Sequence, residues 1–437
     1  MTSLKPKSVA AIHYGLNSFT SQRSLATIIL FMLAITNTAY ATDWISERRK
    51  SQFPDESAYL LVPLPYSMPG IGDGAFLMAN FSNLANTTTD AYMIKVVGDA
   101  QGYAYQIDEL PIIAEHLFLK LYQHDIDRAA VNQYDIRGMD NTHENNYSIL
   151  DISLAKSSTI DINLSFYDRR LNFYYSHIEN KFTLSAIRDF EGNLITQLDK
   201  PYSDSDTQKS YRFALDLTDD YLDPRQGFRF SISYLDRPAN ASKDPDFYAL
   251  DYKILTYLPM GENNTLVFNY YQSDAHVRTP GDTDPDNIRT EIGLNCDISD
   301  SECLRAEQQL VDNLIRERSL GTATNLGGLE RLRAYPDDRF KGAHMAFVGA
   351  EFRLNFVQEA TPFNYLIWKD VRTGYQLAFF AEAGTVSERS SERWDERRYS
   401  YGTGFRLLTA SGSVYRADIA FGDEDMEISV FFFYPWE

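Results

Sequence analysis

From residue 349 to the C-terminus, side chains alternate with a period of two through strand after strand, and the turns between those strands are too short to hold a helix. In residues 349–356, Gly349, Glu351, Arg353 and Asn355 share one face, with Ala350, Phe352, Leu354 and Phe356 on the other. Residues 375–384 set Gln376, Ala378, Phe380, Glu382 and Gly384 against Tyr375, Leu377, Phe379, Ala381 and Ala383. Residues 399–407 set Ser400, Gly402, Gly404 and Arg406 against Tyr399, Tyr401, Phe405 and Leu407, and Arg416 and Asp418 then oppose Tyr415, Ala417, Ile419 and Phe421. In residues 426–436, Ile428, Val430, Phe432, Tyr434 and Trp436 are expected on the apolar face. A strand with one polar and one greasy face has two different surroundings. Tight connections such as 410–413 and 422–425 force neighbours to run antiparallel. The pattern is that of a transmembrane β-barrel, apolar towards lipid and polar towards the lumen, with Glu351, Glu382 and Arg406 pointing inward.

Composition agrees. Tyr 29 and Phe 27 in 437 residues are spread among polar neighbours, and no run long enough for a membrane helix occurs beyond the N-terminus. There, residues 25–35 (LATIILFMLAI) follow Lys5, Lys7 and Arg23 and precede Ala39-Tyr40-Ala41. This reads as a secretory signal over residues 1–41, with an uncleaved anchor as the alternative. A polar lead at 42–57 and the barrel at 58–437 follow. The Pro- and Gly-rich stretch 63–74 reads as the entry to a first strand at 74–84. Further strands are expected at 146–155, 159–166, 171–177, 182–187, 211–217, 228–234, 248–258 and 266–270, with weaker candidates at 92–97, 103–107, 115–122 and 131–136. Together they exceed sixteen. A single-chain barrel takes an even number, so sixteen strands with some mergers are expected.

One connection breaks the rhythm, a loop at 278–343 with an amphipathic helix at 304–320. Structureless loops of this length are uncommon unless functional. Cys296 and Cys303 lie in it, and in an exported chain they favour one disulfide. The net charge of -20 and the lack of a basic face exclude a nucleic-acid partner. His116, His124, His143, His177, His276 and His344 show no metal-ligand spacing, and Asp282, Asp284 and Asp286 are interrupted by Pro285 and lack a downstream bidentate Glu. No cofactor, metal or catalytic residue is expected, and the chain is not read as an enzyme.

The same loop carries Leu332-Arg333-Ala334-Tyr335. This resembles the Val-Arg-Gly-Phe loop tip of the bacterial surface-antigen superfamily that contains the barrel-assembly insertase and the two-partner-secretion transporters. Glu351 matches the acidic position on the following strand, and residues 380–384 (FAEAG) resemble Phe-x-Asp-x-Gly on the strand beyond. Asp223-Pro224-Arg225-Gln226-Gly227 is similar to the family's Pro-x-x-Gly inner turn. Residues 65–74 resemble the opening of the subgroup without N-terminal domains. Ala334 stands where the family has glycine, Glu382 where it has aspartate, and Glu437 follows the terminal aromatic.

The resemblance implies that an extracellular loop folds into the lumen. A lock of Arg333, Tyr335, Glu351 and Glu382 would hold its tip, Leu332 and Ala334, and Phe432, Tyr434 and Trp436 would form an assembly signal. A guanidinium offers two fixed, always-charged donors to carboxylates, and a partly hydrated pair of this kind is worth about 1–3 kcal/mol. Expected partners are outer-membrane lipid and, during biogenesis, the barrel-assembly machinery of a Gram-negative cell. The implied function is protein or lipid translocation or outer-membrane biogenesis. A passive pore and an outer-membrane hydrolase are the second and third alternatives.

Overall fold

The computed structural model describes residues 57–134, 136–139, 147–292, 301–358, 361, 363–371, 373–409 and 414–436. The expected signal, nearly all of the lead, Cys296 and the side chain of Cys303 lie outside the described residues.

The strands in chain order are β1 (Ala58–Met68), β2 (Gly72–Ser82), β3 (Asp90–Gly98), β4 (Gln101–Ile113), β5 (Leu117–Tyr134) and β6 (Tyr147–Phe166). Next come β7 (Leu171–Arg188), β8 (Leu194–Asp216), β9 (Gly227–Arg237), β10 (Asp246–Met260), β11 (Asn264–Thr279) and β12 (His344–Gln358). The last are β13 (Phe363–Tyr365), β14 (Trp368–Val371), β15 (Thr373–Ser387), β16 (Arg398–Thr409), β17 (Val414–Phe421) and β18 (Met426–Phe432). Neighbours pair antiparallel from β1 to β12, β12 pairs directly with β15, and the ladder continues to β18. There Val430 meets Ser67 of β1 and closes the ring. β13 and β14 form a hairpin outside the ring, so of the eighteen strands sixteen make the wall.

Alternation places the faces as read from the sequence. Phe379, Tyr401, Phe405 and Ile419 are exposed on the outside, while Gln376, Ala378, Glu382, Arg406 and Asp418 are buried within. Because β1 starts and β18 ends on one side, every odd-to-even connection up to β12 lies on the other. That second side, the loop side, carries the β11–β12 loop with its helices α1 (Pro285–Ile292) and α2 (Ser301–Leu320). Asp284 caps α1, its Oδ1 accepting from the backbone N–H of Asp286 at 2.8 Å, so this acidic run serves the helix start.

Three expectations are corrected. The candidates at 146–155 and 159–166 fall on one strand, β6; those at 171–177 and 182–187 on β7; and those at 115–122 and 131–136 overlap the two ends of β5. The polar stretches between them are not turns. β6, β7 and β8 have 20, 18 and 23 residues, far beyond the ~9–11 that span a bilayer. Their polar residues continue the sheet into water on the loop side, and the mergers bring the wall to sixteen.

The first strand is β1, ahead of 74–84, and it contains Pro63 and Pro65. The Leu61 carbonyl accepts from Trp368 Nε1 at 2.7 Å and the Pro65 carbonyl from the Tyr415 hydroxyl at 2.7 Å, so odd residues of β1 face the closing seam. Proline is tolerated on a strand edge where no ladder bond is made.

The last strand stops at Phe432. Phe433 takes the left-handed conformation (φ 65°), Pro435 cannot continue a ladder, and the tail turns into the lumen. Tyr434 and Trp436 are therefore buried inside instead of facing lipid, and Phe432 is buried at the seam between Phe76 and Tyr415, at ring distances of 5.3 and 5.7 Å.

Candidate functional site in the lumen

Residues 321–343 return from α2 into the barrel. Leu326 bridges to Phe340, and the backbone N–H of Gly328 donates to the Tyr335 carbonyl at 2.8 Å, closing a tip around Leu332, Arg333 and Ala334. Gly327 and Gly328 have φ of 109° and 89°, and a Cβ on Gly327 would overlap the Pro336 carbonyl, so this hairpin requires glycine there.

The tip presents Arg333 to three strands. Its Nε donates to Glu382 Oε1 at 2.8 Å and its backbone N–H to Glu382 Oε2 at 2.9 Å. Nη1 donates to Glu351 Oε2 and to Asp418 Oδ2, each at 3.0 Å. The guanidinium lies 3.4 Å from the Phe380 ring centroid, a desolvated cation–π contact. Burial pulls the Arg333 pKa down, and Glu382, Asp418 and Glu351 more than offset it, so the group is held above its ordinary value and stays charged. The Tyr335 hydroxyl donates to the Tyr399 carbonyl at 3.2 Å and accepts from the backbone N–H of Asp423 at 3.1 Å. Burial pushes the Tyr335 phenol up to about 12.

Ala334 donates its backbone N–H to Ser400 Oγ at 3.1 Å. Its methyl fits because the wall turn opposite has Gly422, where a Cβ would stand only 2.9 Å from that of Ala334. The glycine absent from the tip is answered by one in the wall. Leu332 packs against Gly384 in the same way, a Cβ there meeting Leu332 side-chain atoms at 3.1 Å.

The structure thus brings Arg333, Tyr335, Glu351 and Glu382 together, and it adds residues outside that expected set. Arg406 joins Glu351 and Asp418; Arg353 Nε donates to Glu351 Oε1 at 2.9 Å; Arg416 Nη1 donates to Asp418 Oδ2 at 2.6 Å and Nη2 to the Leu329 carbonyl at 2.6 Å. Four arginines face three carboxylates, all almost fully buried. Alternation had already put Arg353, Arg406, Arg416 and Asp418 on the lumen face. The register between strands, which sequence does not contain, makes them one network.

The tail supports it from below. Arg353 stacks on Tyr434 at 3.8 Å, Arg333 lies 5.5 Å from the Trp436 ring, and a Cβ on Gly349 would come 2.6 Å from Trp436 Cζ2. The Tyr434 hydroxyl donates to Asp223 Oδ1 at 3.2 Å, so the turn 219–227 props the tail. That turn is held by Asp219 Oδ1, which accepts from the backbone N–H groups of Arg225 and Gln226 at 2.9 and 3.0 Å. Between this floor and the terminal side lies a cavity of about 680 Å³ lined by charges of both signs, among them Arg169, Arg212, Asp108 and Asp161.

The loop-side end has its own clasp. Arg137 donates to Glu388 through Nε at 2.7 Å and Nη2 at 3.0 Å, and to the Gly321 carbonyl and Thr322 Oγ1 at 2.8 and 2.9 Å. Arg137→Ala is expected to cost about 2–3 kcal/mol, the scale of charged hydrogen bonds lost at a mostly buried site. Limited proteolysis should then cut near residue 321 while the tip at 333 stays protected. Simultaneous cleavage at both places would mean the loop has a single fastening, not two.

A family model for the Omp85 superfamily domain matches residues 123–433. No curated protein sequence matches the chain. Among solved structures, BamA from Haemophilus ducreyi lacking POTRA domains 1-3 is 10% identical, with 86% of this chain and 69% of that one covered and a TM-score of 0.44. CdiB from Acinetobacter baumannii is 11% identical (86% and 59% covered, TM-score 0.43), and CdiB from Escherichia coli 8% (86% and 62%, TM-score 0.47). The chain spans less than two thirds of either CdiB. The family match covers the strands that hold Arg333, the loop itself and the seam-forming β18, and this barrel belongs to the Omp85 superfamily.

Proposed function

We propose that this outer-membrane barrel moves protein or lipid across or into the membrane along the seam between β1 and β18, while Arg333 and its carboxylates lock the loop in the lumen. One observation carries this reading: β1 pairs with β2 along its whole length but with β18 at Ser67–Val430 alone. Ser67 Oγ adds a bond to the Ile428 carbonyl at 3.1 Å. Pro63 and Pro65 supply no N–H to that edge, so zipping it further gains little. The wall is also short here, with eleven residues in β1 and seven in β18. The lumen is obstructed where the seam is weak. The reading needs no catalytic group, and it includes export by residues 1–41 and a Cys296–Cys303 disulfide.

In planar bilayers the intact barrel is expected to show little steady conductance, and one with residues 280–343 replaced by a short linker a large one. An open, steady intact pore would support passive diffusion instead. In the host, a Ser67→Cys/Val430→Cys pair, made with Cys296 and Cys303 changed to Ser, is expected to reproduce depletion when oxidised and to recover on reduction. An unchanged outer-membrane protein and lipid inventory under both depletion and cross-linking would sink the proposal.

A further inference from the structure

β17 has eight residues and β18 seven, below the ~9–11 that a tilted strand needs to cross a bilayer. Val430 meets Ser67, so the end of β18 at Phe432 falls beside Pro65, while β1 begins much nearer the terminal side, at Ala58. The hairpin of β13 and β14 stands alongside that first part of β1. Tyr59 pairs with Lys369 and Leu60 with Trp368, and Trp368 Nε1 donates to the Leu61 carbonyl at 2.7 Å. Because β14 runs antiparallel to β1, the hairpin tip, Leu366 and Ile367, points from the terminal side towards the middle of the wall, and Lys369 and Asp370 follow in the opposite direction.

Residue types along the hairpin are layered. The tip is aliphatic, with Leu366 86% exposed and Ile367 exposed beside it. Tyr365 and Trp368 pair across its base, and with Phe363 their rings form one cluster, centroids 5.5 to 6.4 Å apart. Towards the terminal side come Lys369 and Asp370, and the backbone N–H of Asp370 donates to Asn364 Oδ1 at 2.9 Å. Aliphatic side chains inward, aromatic rings at the boundary and charges beyond them is the order in which a barrel meets hydrocarbon, headgroups and water. The adjoining wall sets the level. Tyr59 pairs with Phe81 of β2, and both are exposed on the lipid face, as are Leu61 and Leu77 nearer the middle. Tyr365, Leu366 and Ile367 form an exposed apolar run that water would penalise and acyl chains would not.

We propose that the β13–β14 hairpin is a lipid-binding surface whose tip, Leu366 and Ile367, inserts among the acyl chains of the terminal-side leaflet. Phe363, Tyr365 and Trp368 lie at the headgroup boundary of that leaflet, and Lys369 reaches its phosphates. The hairpin thereby continues the apolar belt past the stretch that β17 and β18 leave short. The occupant is hydrocarbon and not a protein, because the aliphatic tip lies at the depth where Leu61 and Leu77 already face lipid. The surface serves any transport route, so it stands or falls separately from the seam.

The test uses the full chain with Cys296 and Cys303 changed to Ser, in phosphatidylcholine nanodiscs. Leu366→Cys, Ile367→Cys, Lys369→Cys, the wall variant Leu77→Cys and the exposed-turn variant Glu262→Cys each carry one environment-sensitive fluorophore. Lipids bearing a nitroxide either at the headgroup or halfway down the acyl chain are the membrane quenchers, and iodide is the aqueous one. Labels at 366 and 367 are expected to match the blue-shifted emission at Leu77 and to lose severalfold more fluorescence to the mid-chain nitroxide than to iodide. The label at 369 is expected to respond most to the headgroup nitroxide, and that at 262 to iodide. Iodide quenching at 366 and 367 equal to that at 262 overturns the proposal. Blue-shifted labels at 366 and 367 that neither nitroxide reaches overturn it as well, since a second copy or another protein then covers the tip.

Discussion

Arg333→Ala is expected to destabilise the barrel by about 3–5 kcal/mol and to free the loop, because it leaves buried carboxylates without their cation. Glu382 suffers most, since it loses the paired guanidinium Nε at 2.8 Å, and of its two bonds from residue 333 only the backbone N–H at 2.9 Å survives the substitution. Asp418 and Glu351 keep Arg406, and each keeps a further arginine, so they are less affected. The sequence suggested a partly hydrated pair worth less. Burial of every partner raises the cost of breaking the network, though not the net worth of forming it. Arg333→Lys should recover only a fraction, as an ammonium cannot serve Glu382, Glu351 and Asp418 from one plane or stack on Phe380. Thermal unfolding in detergent together with protease access to residues 329–338 checks this. A variant with unchanged unfolding and a still-protected loop would show that the apolar packing of Leu332, Tyr335 and Phe340 holds the loop unaided.

Trp436→Ala should cost a similar amount, about 3–5 kcal/mol, for a different reason. The indole is 1% exposed, fills the space over Gly349 and flanks both Phe347 and Arg333, so its removal leaves a cavity under the arginine–carboxylate network. Comparing refolded stability with assembly in the host separates two roles of the tail. If the refolded variant melts earlier and assembles in the host in proportion, Trp436 acts by packing. If refolded stability is unchanged while assembly collapses, the tail acts as a signal read before the barrel closes. Trp436→Phe should lie between the parent and the alanine variant, since a smaller ring refills part of the cavity.

Alternation made the barrel legible, because a wall between lipid and a polar lumen imposes a period of two on each strand separately. It sorted Phe379 from Glu382 and Tyr401 from Arg406 with no knowledge of neighbours. It failed where the two faces stop differing. Above the bilayer both faces of β6 and β7 are wet, so their polar stretches looked like turns. At the closing edge a missing N–H carries no penalty, so the prolines of β1 looked like a loop. The C-terminal aromatics kept the alternating pattern past Phe432, although one left-handed residue sends Tyr434 and Trp436 inward.

By itself, the sequence determined the fold class and the inward face of the late strands, which follow from residue type and local spacing, while the candidacy of Arg333 with Glu351 and Glu382 came from the resemblance of their motifs to the family's. Only the tertiary structure decided that Asp418 and three more arginines join them, that the tail lies under this network, and that a hairpin from the β12–β15 connection pairs with β1. Those contacts depend on the register between strands and on how the ring closes, and hydrogen-bonded backbone ladders set both without leaving a mark in the identity of any single residue.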